Sequence, residues 1–433
     1  MKIKTTTSAY QLYQILRLVV LVLISIALVK LSFSREETSV FELFLFVINI
    51  STFFWVIGIG NSILSYYSGL NTKEKESFFQ NIFFLLQFAG LIIALLLYFT
   101  NGLGLVKNED ILSIGRTKLI AFYLFFYSPT LLIEIKYIIK KEKEKLLKYG
   151  IVIFSLQLVL IIAVAAITNS IFQVLIAMTF WIFIRWIWTI STVFKPFGRF
   201  TLSKILLKGF VLFSLPIIAH ILLGNGMEYI DGLIVNSSFK PDLFSVYRYG
   251  AREFPVILIL IGALRSTMIP DAIENIENAL ENIKKETRKI IIVFFPVAIL
   301  LMLSSKFLYT FFYSEEYTYS ALLFNIYLLI ISSRIILAEV FIYANKMNKL
   351  FMKVSFWELV ANIVLSLIFL RFWGIAGIAF ATFIAFLVSK LFLVFIVHSK
   401  YDIPLNKYLD LKLYFPMTLL LYLSFIISLF VFF

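Results

Sequence analysis

The chain has 433 residues, of which 61% are hydrophobic and 15% are charged, and its formal net charge at pH 7 is +14. A soluble globular chain is about half apolar, so this composition excludes an ordinary soluble protein and indicates an all-α polytopic membrane protein. The sequence contains no cysteine, which excludes disulfides and thiolate chemistry.

Apolar runs long enough to cross the hydrocarbon core as helices recur along the whole chain. The first run follows a basic start, "MKIKTTTSAYQLYQ", and has no small-residue cleavage site behind it, so we interpret it as an uncleaved helix. We predict spans at 12–33, 40–60, 78–99, 118–139, 149–168, 171–194, 208–235, 244–269, 290–312, 320–343, 353–372, 374–397 and 413–433.

The positive charges are distributed unevenly between the two sides of this predicted topology. If the N-terminus is cytoplasmic, most Lys and Arg residues fall in cytoplasmic segments, as the positive-inside rule requires. The basic run "KYIIKKEKEKLLK" at 136–148 is then an anchor that contacts anionic lipid headgroups. We predict no nucleic-acid partner, because no nucleic-acid-binding domain accompanies this run.

An internal repeat relates the two halves of the chain. The stretch "IGIGNSIL" at 57–64 and the stretch "IGALRSTM" at 261–268 share a pattern at an offset of 204 residues, and Glu134 and Arg185 have near mates in Glu339 and Lys390. Six helices per repeat give parallel repeats related by an axis along the membrane normal. We predict an N-terminal six-helix lobe at 1–200, a C-terminal six-helix lobe at 201–398 in pseudo-two-fold relation to it, and an extra C-terminal transmembrane helix at 399–433.

The polar segment 270–289 separates two predicted spans. Apolar residues recur in it at helical spacing, at Ile273, Ile276, Leu280 and Ile283. The segment is either an amphipathic helix on the cytoplasmic surface or a solvated extension of a neighbouring span.

Ionisable residues inside predicted spans are the candidate site residues, because such residues are costly in hydrocarbon and mark pathways by default. In "YRYGARE" at 247–253, Arg248 and Arg252 are four residues apart and would share a helix face, and Arg17 lies in the first span. Guanidinium groups match phosphate geometry, so whichever of Arg248 and Arg252 has no acidic partner would suit an anion.

Acidic residues in the spans could serve as counter-ions or in ion coupling. Glu228 and Asp231 share a face of the seventh span and could pair with an arginine of the eighth, and Glu134 lies in the fourth span. The sequence shows no phosphate-cradling loop, metal-ligand spacing or nucleophile–base pair, so we predict no cofactor, no metal and no enzymatic activity.

Four stretches resemble the multidrug/oligosaccharidyl-lipid/polysaccharide (MOP) exporter superfamily and, within it, the Wzx-type polysaccharide flippases. They are "FFWVIGIGNSILSYYS" at 53–68, "YIDGLIVNSSFKPDLFSVYRYGAREFP" at 229–255, "FFPVAILLMLSSKFLYTFFYSEEYTYSALLF" at 294–324 and "FWGIAGIAFATF" at 372–383.

The resemblance implies two six-helix lobes that form a V and alternate between inward and outward openings. The implied cargo is an undecaprenyl-pyrophosphate-linked oligosaccharide, moved from the cytoplasmic to the outer leaflet for O-antigen, capsule or exopolysaccharide biosynthesis. The implied location is the inner or plasma membrane of a bacterium, with glycosyltransferases and a polysaccharide polymerase as partners.

In related flippases the cavity arginines come from helices one, two and eight. By that resemblance Arg17 corresponds to helix one, and Arg248 and Arg252 correspond to helix eight. The second helix departs from the pattern, because it offers only Asn49 and Asn61, and the thirteenth helix departs from the twelve-helix and fourteen-helix forms.

Two other functions remain open. An ion-coupled multidrug exporter of the same superfamily would use acidic residues for Na⁺ or H⁺ and an aromatic pocket for cationic drugs. A membrane polysaccharide polymerase or ligase would need a large outer loop with catalytic residues, whereas the longest predicted outer loop here spans only about residues 100–117.

Overall fold

The computed structural model describes residues 6–100, 114–194, 202–251, 255–345 and 347–432, and this part of the chain is helical without β-strands. Within it, nine helices are long and apolar enough to cross a membrane, or ten if the bent pair Glu315–Arg334 and Ala338–Ala344 forms one span. The predicted all-α polytopic class is confirmed.

One of these helices is too long for a single crossing. It covers Lys349–Tyr401, and its 53 residues would extend about 80 Å, more than twice the roughly 30 Å hydrocarbon core. Two helices meet inside it at Gly374, whose φ of 58° and ψ of −136° are not helical. Only glycine adopts such a φ readily, so Gly374 lets the two predicted spans 353–372 and 374–397 follow each other directly.

The first compact unit comprises Met1–Tyr229 and Asn236–Ser245. In it, α1 packs against α6, α3 packs against α4, and α4 and α6 both pack against α7. Capping boxes begin α2 and α3, since Ser34 with Glu37 and Asn71 with Glu74 satisfy backbone N–H groups reciprocally. The helices are α1 Thr6–Lys30, α2 Arg35–Tyr66, α3 Thr72–Phe99, α4 Ile114–Tyr127, α5 Leu131–Ile139, α6 Lys143–Thr168, α7 Ile171–Phe194 and most of α8 Lys204–Ser238.

The second compact unit comprises Ile230–Val235 and Val246–Phe433. Here α11 packs against α10, α12 and α17, and α15 packs against α12 and α14. The predicted extra C-terminal span is α17, which contacts α11 and α12. The helices are α9 Leu243–Gly250, α10 Pro255–Glu274, α11 Ile276–Phe312, α12 Thr318–Leu329, α13 Ile331–Arg334, α14 Ala338–Ala344, α15 Asn348–Tyr401, α16 Leu405–Tyr408 and α17 Leu411–Phe432.

The predicted eighth span, 244–269, is not one continuous helix. Helix α9 ends at Gly250, Ala251 is not helical, and α10 begins at Pro255. Proline has no N–H to donate, and it disfavours the helical conformation of the residue before it, so it is suited to begin α10 and not to continue α9. The predicted shared helix face of Arg248 and Arg252 stays a prediction, because Arg252 lies outside the described residues.

The segment 270–289 divides between two helices. The end of α10 holds Ile273, which is 59% exposed. Asn275 caps α11 by accepting hydrogen bonds from the N–H groups of Glu277 and Asn278, and α11 then continues to Phe312. Its Leu280 and its Ile283 are buried. The structure thus shows the extension of a neighbouring span and not a separate surface helix.

Candidate functional site

The first unit encloses a cavity of about 400 Å³, within the range of roughly 300–1,000 Å³ that small-molecule pockets occupy. Helices α1, α2, α4, α5, α7 and α8 all contribute to its walls. Its polar lining consists of Tyr10, Gln14, Arg17, Asn49, Thr52, Asn61, Tyr127, Thr130, Glu134, Arg185 and Tyr229.

Arg17 is the predicted cation that α1 brings to this cavity. Its Nη2 donates a hydrogen bond of 2.9 Å to the hydroxyl of Tyr127, the last residue of α4. A short 3₁₀ turn, Ser128–Thr130, separates α4 from α5 and contains Pro129. The turn therefore fixes the end of α4, where Tyr127 orients Arg17. It also fixes the start of α5, the helix that carries Glu134.

Glu134 lies on α5, is only 5% exposed and lines the same cavity. The Tyr13 side chain lies near its carboxylate, and the guanidinium groups of Arg17 and Arg185 both attract it. The structure thus brings two of the predicted residues, Arg17 and Glu134, into one site.

Arg185 is a site residue that the sequence analysis missed. It lies on α7, its guanidinium carbon is 6.0 Å from the centre of the Phe154 ring, and the Tyr13 and Tyr149 rings are near it. A cation over an aromatic face is stabilised by the ring quadrupole. The predicted repeat could have linked Arg185 to Glu134, because Arg185 follows Glu134 by 51 residues just as Lys390 follows Glu339 by 51 residues.

The cavity has more positive than negative charge. Among the described residues, no carboxylate lies within 4.0 Å of the guanidinium nitrogens of Arg17 or Arg185. Both arginines and Tyr127 also line a second chamber of about 40 Å³ next to the cavity. Two cations facing one buried carboxylate leave a net attraction for an anion, which a site withdrawn from water strengthens.

The other predicted residues lie elsewhere. Arg248 is half-buried near the end of α9, in the second unit. Arg252 and the side chain of Glu228 lie outside the described residues. The predicted pairing of these arginines with Glu228 or Asp231 therefore stays a prediction.

Asp231 belongs to a second polar cluster, inside the second unit. It is 1% exposed, and its Oδ2 accepts a hydrogen bond of 2.5 Å from the Thr382 hydroxyl. The Asn362 side-chain amide donates to the same hydroxyl at 3.0 Å. Asn362 Oδ1 and the Ser366 hydroxyl are buried without a hydrogen-bond partner among the described residues. Carboxylate, hydroxyl and amide oxygens, the types present in this cluster, are ligands that hard cations prefer.

The repeat mates of Glu134 and Arg185 form a closed ion pair in the second unit. Lys390 Nζ lies 2.5 Å from Glu339 Oε2, and Arg265 Nη1 lies 3.9 Å from Glu339 Oε1. Both partners of the close pair are buried. In the first unit, by contrast, Glu134 and Arg185 line a cavity, and neither forms an ion pair with any residue that the structure describes.

Comparisons with known proteins agree with this architecture. The sequence model of a family described as "Polysaccharide biosynthesis protein" matches residues 12–322, more than half of the chain. No curated protein matches the sequence.

Several solved structures share the fold. The lipid II flippase MurJ in an inward closed conformation has a TM-score of 0.68 at 17% identity, over 97% of this chain and 98% of that one. An inward-facing multidrug resistance MATE transporter of the MOP superfamily has a TM-score of 0.65 at 13% identity, over 93% and 96%. A MOP superfamily transporter from Pyrococcus furiosus has a TM-score of 0.61 at 13% identity, over 92% and 96%.

The family match extends through the cavity helices of the first unit, and the structural matches extend over nearly the whole chain. The chain therefore belongs to the family of polysaccharide biosynthesis proteins and has the fold of the MOP superfamily of membrane transporters.

Proposed function

We propose that this protein is a flippase that moves an undecaprenyl-pyrophosphate-linked oligosaccharide from the cytoplasmic to the outer leaflet by alternating access. The oligosaccharide is destined for a surface polysaccharide, and the site of transport is a bacterial inner or plasma membrane. Membership in a polysaccharide biosynthesis family and a fold shared with a lipid II flippase support this proposal.

The observation that carries the proposal is the unpaired charge of the first unit's cavity. Arg17 and Arg185 both line it, and no described carboxylate forms an ion pair with either. A pyrophosphate carries several negative oxygens, and the planar fork of a guanidinium group binds such oxygens in pairs. In this proposal Arg17 and Arg185 bind the diphosphate, and Arg248 and Arg252 add further cations along the path.

We further propose entry from the cytoplasm, from the predicted direction of α2. In the predicted topology the second span runs from outside to inside, so Asn61 and Leu64 lie nearer the cytoplasm than Asn49 does. Leu64 is 40% exposed and lines the cavity. A substrate would then enter past Leu64 and place its diphosphate deeper, beside Arg17.

Export of surface polysaccharide in cells tests the proposal. We expect Arg17→Ala and Arg185→Ala to abolish or strongly reduce export while the protein remains folded in the membrane. The matched control is Arg371→Ala, which removes an exposed arginine of the second unit and should leave export unchanged. Normal export by both cavity variants would refute the assignment.

A second candidate function is an ion-coupled multidrug exporter. The polar cluster of Asp231 favours ion coupling, although not the transport of drugs. We propose that Asp231, Thr382, Asn362 and Ser366 hold a monovalent cation or a proton that drives transport. The net positive cavity of the first unit argues against cationic drugs as cargo, because like charges repel there.

Thermal unfolding of the purified protein tests this coupling site. Na⁺ at constant ionic strength, or a change of pH, is expected to shift the melting temperature of the wild type and not that of Asp231→Asn. Equal responses of the two proteins would exclude Asp231 as the ion-binding residue.

A further inference from the structure

The wall that α2 contributes to the cavity has uncharged polar and aromatic residues, unlike the end of the cavity that Arg17 and Arg185 line. Asn49, Phe53 and Asn61 line the cavity in succession along α2. Asn49 also lines the small chamber that Arg17 and Arg185 share, so it marks the cationic end. At a rise of about 1.5 Å per residue, Asn61 lies about 18 Å farther along the helix. The wall therefore extends well beyond the reach of a single phosphate group.

The two asparagine amides of this wall have unused hydrogen-bonding capacity. The backbone carbonyls of Asn49 and Asn61 accept from hydroxyls on their own helix. Their side-chain amides form no hydrogen bond with any described residue. Each amide offers two donors and one acceptor without charge, which is the set that a neutral hydroxyl-rich ligand needs.

An aromatic pair lies between these two amides, with Phe53 about 6 Å along α2 from Asn49 and about 12 Å from Asn61. The Phe53 and Tyr229 rings are stacked with their centres 4.1 Å apart and their planes 20° apart. Both rings line the cavity, Phe53 from α2 and Tyr229 from α8. The negative face of an aromatic ring attracts the polarised C–H groups that a sugar ring presents on its less polar side.

Uncharged amides next to aromatic rings fit neither a phosphate group nor a hydrocarbon tail. A phosphate would favour the cationic end, and a hydrocarbon tail would cover the two amides and leave them without hydrogen-bond partners at a free-energy cost. We propose that Asn61, Phe53 and Tyr229 form a subsite for a neutral sugar ring of the glycan, separate from the diphosphate end at Arg17 and Arg185. This subsite rests on the proposed function, because it assigns the sugar portion of the same substrate.

Binding of defined lipid diphosphates to the purified protein tests the subsite. The probes are farnesyl diphosphate and farnesyl diphosphates that carry one glucose, galactose or N-acetylglucosamine, titrated in detergent micelles. We expect at least one sugar-bearing probe to bind the wild type about fivefold more tightly than farnesyl diphosphate, the gain from about one net hydrogen bond.

The variants separate the two parts of the site. Asn61→Ala and Phe53→Leu should remove the gain from the sugar and leave the affinity for farnesyl diphosphate unchanged. Asn61 is exposed, so its truncation should not impair folding. Arg17→Ala should weaken the binding of all probes by a similar factor. Ser68→Ala, at an exposed position in the 3₁₀ turn after α2, should change the binding of none of them.

Three results would be decisive against one proposal or the other. If no sugar strengthens binding, or if the gain persists in both Asn61→Ala and Phe53→Leu, the sugar subsite is refuted while the diphosphate site stands. If the wild type binds none of the probes, including farnesyl diphosphate, the proposed function itself is refuted.

Discussion

Replacement of Arg17 by alanine is the change that most directly reports on the diphosphate site. The substitution removes one of two cavity guanidinium groups and leaves Arg185 and Glu134 in place. The remaining cation and the carboxylate then balance, so the site loses its net positive charge. The Tyr127 hydroxyl also loses its 2.9 Å partner.

The magnitude follows from the value of a charged hydrogen bond, which is about 1.5–3 kcal/mol. At about 1.4 kcal/mol for each tenfold change, affinity for farnesyl diphosphate should fall roughly 10- to 150-fold. Arg17→Lys keeps the charge but not the planar fork, so its affinity should lie between those of Arg17→Ala and the wild type. Tyr127→Phe removes only the group that orients Arg17, so its effect should be smaller than that of Arg17→Ala.

Isothermal titration calorimetry of the purified variants at two salt concentrations measures these affinities. The wild type should lose affinity as salt rises, and Arg17→Ala should lose less, because one fewer charge takes part. A folded Arg17→Ala protein that binds farnesyl diphosphate as tightly as the wild type would refute the reasoning.

Two further predictions concern the packing of the second unit. Glu339→Gln leaves Lys390 buried without its carboxylate and should lower the free energy of unfolding by about 3–5 kcal/mol, whereas the double variant Glu339→Leu, Lys390→Met should lower it much less. Thermal unfolding in micelles compares the two variants with the wild type. An unchanged melting temperature in Glu339→Gln would contradict a stabilising role of the ion pair. At Gly250 an added Cβ would lie 2.4 Å from the Ser320 carbonyl oxygen, so Gly250→Ala should cost about 1–3 kcal/mol. The control Gly262→Ala, whose added Cβ meets nothing within 4 Å, should not destabilise, and equal effects of the two alanines would contradict the close approach of α9 to α12.

Hydropathy predicted the membrane-spanning class because burial in lipid requires long apolar helices wherever the chain crosses. It located Arg17 and Glu134 as intramembrane charges for the same reason. Hydropathy could not show that Arg17 and Glu134 lie in one cavity. The hydrogen bond that holds Arg17 there is to Tyr127, which is 110 positions away in the sequence. That contact depends on how α1 and α4 pack, which no local pattern specifies.

Two errors have local causes. The sequence does not single out Arg185 from the other charges in predicted spans, because the flanking segments "WIFI" and "WIWT" contain no acidic residue that would indicate a charged site. The predicted eighth span passes through Pro255 because apolar residues outnumber the charged ones across 244–269, and hydropathy does not register the missing N–H of a proline. The repeat offset was the sequence signal for Arg185, and Pro255 was the sequence signal for the break in the eighth span.

In the proposed function, the cavity arginines of the first unit bind an anionic glycolipid while it crosses the membrane. Transbilayer movement of a fluorescent farnesyl-diphosphate sugar in vesicles that contain the purified protein measures this directly. We predict movement with the wild type and with Arg371→Ala, and none above empty vesicles with the double variant Arg17→Ala, Arg185→Ala. Movement at the wild-type rate in a folded double variant would contradict the claim.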